Sequence, residues 1–154
     1  MPLALTSMNL HQREQQINEI LELNDTTNKF GLLLNATEIT QILEERNKDL
    51  KYIGRIDFSI EVTKNLVANF CNSSFITQET YVETLQGLHT VFYHLKNETM
   101  DKIGDTILIN LIKDYFENSC GGSVEVLKGK LNEFSEEFRK KNLLNEFIEG
   151  EATK

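Results

Sequence analysis

Residues 76–95, ITQETYVETLQGLHTVFYHL, decide the fold class of this chain. Thr77 is a good N-cap, because its hydroxyl can accept from an amide that the first helical turn leaves unpaired. Ile76 before it can staple onto Tyr81 at the fourth helical position. Tyr81, Leu85, Leu88, Phe92 and Leu95 follow at steps of 4, 3, 4 and 3. That spacing puts them on one narrow apolar stripe, which has to be buried against other helices. Asn97 is placed to close the helix in a left-handed cap.

Upstream, Asn35 with Glu38 three positions on makes a capping-box start, in which each side chain bonds the other's backbone amide. The helix it opens has Ile39, Ile42, Leu43 and Leu50 as its apolar face and should stop before Gly54, which tolerates a left-handed exit. Arg55-Ile56-Asp57-Phe58 is then a connector to a helix bearing Ile60, Leu66, Val67 and Phe70, ending at Asn72-Ser73-Ser74. Nearer the N-terminus, Leu10, Ile17, Ile20 and Leu21 recur among polar residues, predicting a surface-lying helix over 10–23. Asn24-Asp25-Thr26-Thr27-Asn28 reads as a loop, since these side chains bond their own backbone. Phe30 to Leu34 is apolar but short, and one extended segment tucked against the helices is the expectation.

Downstream, Ile107, Leu108, Leu111, Ile112, Tyr115 and Phe116 form a wide stripe after Gly104-Asp105, expected to be the most buried helix. Cys120-Gly121-Gly122 breaks it, and Ser123 can cap a last helix carrying Val124, Leu127, Leu131, Phe134 and Phe138. Alternation of period 2 appears nowhere over a useful length. The expectation is an all-α chain, a compact bundle of about six helices in a single domain over 1–154, with its core at about 10–140. Residues 142–154 are a tail or a docking helix.

The stretches Phe70 to Leu85 and Phe92 to Glu98, with Gly54-Arg55-Ile56-Asp57-Phe58 before them, resemble a family of short uncharacterised bacterial proteins, a domain of unknown function. The resemblance covers about residues 30 to 140 and leaves the segment from Asn142 outside. It implies a bacterial cytoplasmic setting, and it carries over no activity, cofactor or catalytic residue.

Composition narrows the function classes. The chain has 154 residues, 24 acidic against 16 basic side chains and a net charge of −8, so it repels phosphate backbones and anionic membrane surfaces. The cationic run Arg139-Lys140-Lys141 is explained by the preference of cations for a helix C-terminus. Cys71 and Cys120 stand 49 positions apart with no CxxC spacing, which predicts two reduced thiols and no zinc site. Met1 to Met8 lacks the basic start of a leader, and no segment approaches a membrane span. These features predict a cytoplasmic protein with no cofactor, no metal, no nucleic acid and no membrane among its partners.

Two groups of residues remain as candidates. Gln86, His89, Tyr93, Lys96 and Asn97 project from one flank of the 77–97 helix. His89 and Tyr93, four apart, could share a proton or hold a small anion with Lys96. The plainer alternative is a partly buried hydrogen-bonding rim. His89 and His94 make no metal pair, because five residues turn a helix by about 140°. In the second group, Leu143, Leu144, Phe147 and Ile148 fall at i, i+1, i+4 and i+5. Docked on its own domain this stripe is merely a last helix; exposed, it is a handle for a protein partner or a second copy of the chain. The leading expectation is a helical protein-binding or self-associating module, leaning away from an enzyme, with no catalytic residue assigned. The alternative is a small-molecule binder or enzyme using a polar pocket near His89, Tyr93 and Lys96.

Overall fold

The computed structural model describes the backbone of residues 3–152 and the side chains of residues 10–144. Its elements are α1 (Leu3–Leu21), the single turn α2 (Asn24–Thr27), α3 (Ala36–Tyr52), α4 (Glu61–Phe70), α5 (Tyr81–Glu98), α6 (Asp105–Asp114) and α7 (Val124–Ala152). Among the described residues there are thus six helices longer than one turn and no strand, so the chain is all-α. It divides into two compact units, Met1–Thr90 and Val91–Lys154, the boundary falling within α5.

In the first unit α3 starts as its sequence dictates. The Asn35 side chain accepts from the Glu38 amide at 2.8 Å, and the Glu38 carboxylate accepts from the Asn35 amide at 2.9 Å. Removing that cap in Asn35→Ala should cost about 1 kcal/mol, read as a lowered urea midpoint; an unchanged midpoint would show the box to be ornamental. Helix α3 ends where Gly54 adopts φ 71°, a conformation that a side chain would strain, and Arg55 N–H closes the turn onto the Leu50 carbonyl at 2.9 Å. α1 packs on α3, and α2 on α4. Leu10 is 57% exposed while Ile20 is buried, as befits a surface-lying helix.

Residues 24–28, expected as a loop, instead form α2 and the start of a 3-10 turn over Asn28–Phe30, which also takes in Phe30 from the segment expected to be extended. The segment beyond it is non-helical, with Leu32 and Leu34 buried and Leu33 outward. Two side-chain amides stand in for neighbouring strands: Asn24 exchanges two hydrogen bonds with the Leu34 backbone (2.8 and 3.0 Å), and Gln78 exchanges two with Leu33 (both 2.8 Å). Backbone groups that neither helix nor sheet pairs are satisfied in this way.

The apolar stripe of residues 81–95 is the buried face of α5: Tyr81, Leu85, Leu88, Phe92 and Leu95 are all essentially inaccessible. A 3-10 turn, Gln78–Thr80, precedes it, and the Thr80 hydroxyl accepts the Thr77 amide at 3.2 Å. The C-terminus differs from expectation. Asn97 stays helical, and the left-handed positions are Met100 (φ 58°) and Asp101 (φ 59°), where Asp101 N–H reaches back to the Lys96 carbonyl at 3.1 Å.

In the second unit α6 runs into a π-turn over Tyr115–Ser119, which packs on α7. The α6 stripe is narrower than expected: Leu108, Ile109, Ile112 and Phe116 are buried, but Ile107 is 65% exposed. Ser123 caps α7 by accepting from the Val126 amide at 3.2 Å. Leu127 and Leu131 are buried, and Phe134 stacks on Phe138 at 6.3 Å between ring centroids. α7 does not stop near Lys141 but continues to Ala152. The Arg139-Lys140-Lys141 run therefore lies inside a helix rather than at its end, and Arg139 is paired with Glu98.

Candidate functional site

Helix α3 carries one charged residue on its apolar face. Arg46 lies four positions after Ile42 and four before Leu50, and it is only 3% exposed. A guanidinium so placed must find acceptors within the protein, since burying an unpaired charge costs several kcal/mol. It finds them in the connector to α4: Nη2 donates to the carbonyls of Asp57 (2.8 Å) and Ser59 (2.5 Å), and Nη1 donates to Asn47 Oδ1 (2.9 Å). The Asp57 carboxylate stands 3.6 Å from Nη2. Arg46 Nε is buried with no hydrogen-bond partner among the described residues.

Pinned in this way, residues 55–58 form one wall of an open cleft of about 410 Å³. Gln12 and Gln16 of α1 and Arg46, Asn47, Leu50 and Lys51 of α3 line it, together with Arg55, Ile56, Asp57 and Phe58. Gln16 Nε2 donates to the Phe58 carbonyl at 3.4 Å, tying α1 to the connector. Two features distinguish the cleft from the rest of the surface. Ile56 and Phe58 are 80% and 82% exposed, and Tyr52 close by in sequence is 91% exposed. The lining also carries three cations, Arg46, Lys51 and Arg55, against the single acid Asp57, in a chain of net charge −8.

The first candidate group is accounted for locally. His89 is wholly buried, with Nδ1 donating to the Leu85 carbonyl at 2.6 Å and Nε2 accepting from the Thr63 hydroxyl at 2.8 Å. Both ring nitrogens are thus occupied. Burial lowers its pKa to about 4; the bond to Leu85 opposes that shift and the Arg46 charge adds to it. Tyr93 is buried and its ring meets Phe92 edge to face at 5.1 Å. Lys96 bonds the Ile103 carbonyl at 2.7 Å and pairs with Asp105 at 2.8 Å. Gln86 is half-buried and Asn97 exposed.

Leu143 and Leu144 of the second group are 65% and 57% exposed. Phe147 and Ile148 lie on the α7 backbone, and their side chains fall outside the described residues. Cys71 and Cys120 are both buried and neither is in a disulfide, and burial pushes the Cys120 thiol up. His11 lies along α1 beside a hollow also lined by Glu14, Glu19 and Glu22. Among the described residues no group of three or more His, Cys, Asp or Glu side chains is arranged to hold a metal ion, and no helix is long and apolar enough to cross a membrane.

The reading by periodicity passed over Arg46, Tyr52, Ile56 and Phe58. The signal was present in the spacing: an arginine in phase with Ile42 and Leu50 has to be clamped by something, and two large apolar residues in the four-residue connector Arg55-Ile56-Asp57-Phe58 are not needed to join two helices.

Among comparisons with known proteins, one family model, described as a family of unknown function (DUF6323), matches residues 19–143. The match takes in the whole connector and extends beyond the 30–140 span of the resemblance read from the sequence. No curated protein and no solved structure matches the chain.

Proposed function

This chain belongs to the DUF6323 family, whose function is unknown, so its role has to be read from its own residues, and we propose that it is a helical protein-binding module whose binding face is the 46–58 cleft. The observation that carries this reading is the pair Ile56 and Phe58, 80% and 82% exposed on a connector that a buried arginine holds in place. Large apolar side chains held rigidly outward lose little conformational entropy when a partner covers them, and such anchors supply most of the affinity at protein interfaces. A floppy connector would fold the same residues inward or pay their ordering on binding.

A bacterial cytoplasmic setting belongs to this reading. It is supported by the resemblance of residues 70–98 to bacterial proteins and by two buried cysteines that form no disulfide, which suits a reducing compartment.

The test compares capture by the intact chain with capture by Ile56→Ser/Phe58→Ser, both substitutions lying at exposed positions and so leaving stability within about 0.5 kcal/mol. The expected result is a protein recovered by the native chain and depleted at least tenfold with the variant, about 1.4 kcal/mol of binding. Identical recovery by both baits would overturn the proposal.

A further inference from the structure

We propose that the backbone edge at Leu33 is a second docking site, taking an extended segment of another protein that is apolar, carries a basic residue and displaces the Gln78 side chain. The chemistry of the group now seated on that edge carries the proposal. A carboxamide offers the same donor and acceptor as a peptide group, and Gln78 spends both on one residue. Leu33 N–H donates to its Oε1 and its Nε2 donates to the Leu33 carbonyl, each at 2.8 Å. This is the two-bond ring with which a residue of a neighbouring antiparallel strand pairs.

The edge keeps its shape without Gln78. Leu32 and Leu34 are buried. The Thr27 hydroxyl donates to the Leu32 carbonyl at 2.7 Å, the Thr27 carbonyl accepts the Leu32 amide at 3.2 Å, and Asn24 holds both backbone groups of Leu34. Gln78, by contrast, is exposed, and its 3-10 turn is fixed by bonds between Thr77 and Thr80. Its side chain can therefore swing away and leave turn and edge in place. Two exposed neutral hydrogen bonds barely outweigh the rotamer freedom that a glutamine gives up to make them, so the edge opens readily. The flanking amides of Gly31 and Asn35 are bonded to Asn28 and Glu38, which confines an incoming strand to one pairing and leaves its side chains to add affinity.

The surroundings state what those side chains should be. Leu33 is 47% exposed, and Phe30 and Phe75, three positions from Leu33 and from Gln78, are 51% and 44% exposed. Three residues of chain span at most about 11 Å, within reach of a short strand. Among residues within three positions of Leu33 or Gln78, Glu79 is the one charged residue, and it is exposed. Apolar anchors beside a single acid complement a segment that alternates β-branched residues with lysine, added as a strand.

The probe is the capped peptide acetyl-Val-Lys-Val-Lys-Val-amide, titrated into the isotope-labelled full chain and followed by NMR. The Leu33 amide and the Gln78 side-chain amide should shift together, with a Kd of about 1 mM or tighter. Gln78→Ala should bind the peptide about threefold more tightly, because the competing carboxamide is gone. A glutamine with a merely structural role would leave the affinity unchanged or lower, and that result overturns the proposal. The same peptide N-methylated at its central valine lacks the donor and should bind weaker by on the order of tenfold, a control that leaves the protein's own folding untouched. Equal binding of the two peptides, or no shift at roughly 10 mM, would show that Gln78 only covers the edge against pairing. Leu33 shifts that grow with protein concentration in the absence of peptide would place a second copy of the chain there instead and equally overturn the assignment.

Discussion

Arg46→Met should destabilise the first unit by about 3 kcal/mol, the largest effect expected of any single polar substitution there. Methionine keeps much of the buried stem, so the loss is mainly that of the guanidinium. Its bonds to the carbonyls of Asp57 and Ser59, at 2.8 and 2.5 Å, cannot be replaced by packing. A hydrogen bond from a charged donor contributes roughly 1.5–3 kcal/mol. Against this stands relief of the cost of burying a cation that has one carboxylate at 3.6 Å for compensation and one N–H unbonded. Exchanging both members of a buried pair for apolar groups is often neutral, but here the acceptors are backbone and stay behind. The loss therefore wins. Asp57→Asn should be much milder, because that carboxylate is 27% exposed and its backbone carbonyl remains in place. Chemical denaturation measures the first difference, and faster amide exchange over residues 57–60 would show the released connector. A methionine variant within about 0.5 kcal/mol of the native chain would refute the clamp.

Between pH 6.5 and 4 the first unit should lose about 3 kcal/mol through His89 alone. The ring is neutral in the fold because burial lowers its pKa to about 4, whereas an unfolded histidine titrates near 6.5. Above that pH both states are neutral and the ring adds no pH dependence. As the pH falls, the unfolded chain takes up a proton that the folded chain refuses, so stability declines until the folded ring itself titrates. Carboxylates also titrate at the acid end, and a His89→Leu variant separates them. At neutral pH the variant should be less stable by roughly 1–3 kcal/mol, since the Thr63 hydroxyl and the Leu85 carbonyl lose their partner. Its deficit should shrink as the pH drops. A deficit constant from pH 7 to 4 would mean that the ring is not held neutral.

Helix content was legible in the residues because its causes are local. The Asn35–Glu38 box, the stop at Gly54 and the Ser123 cap each act within a few positions, and all three form. Where local rules left two answers, packing chose. The run from Ile107 to Ile112 is apolar on several faces, so periodicity alone could not say that Ile109 turns inward and Ile107 outward. After Lys141 no proline imposes a stop, and α7 runs on past Asn142 and Asn145 through a stretch that the heptad pattern had already left. His89 sits four residues after Leu85 and three before Phe92, beside the buried stripe, which is why a flank that looked like a polar rim is core at that position.

By itself the sequence determined that the chain is helical, where most helices begin, and which stripes must be covered, since these follow from hydrogen bonds and apolar phase within single segments. Only the tertiary structure decided that Arg46 reaches the carbonyls of residues 57 and 59, that Gln16 ties down Phe58 from 42 positions away, and that Ile56 and Phe58 stand outward beside the cleft. A cleft is made of groups brought together across turns and between helices, and their meeting depends on the balance of burial and hydrogen bonding over a whole unit, which no single stretch of residues contains.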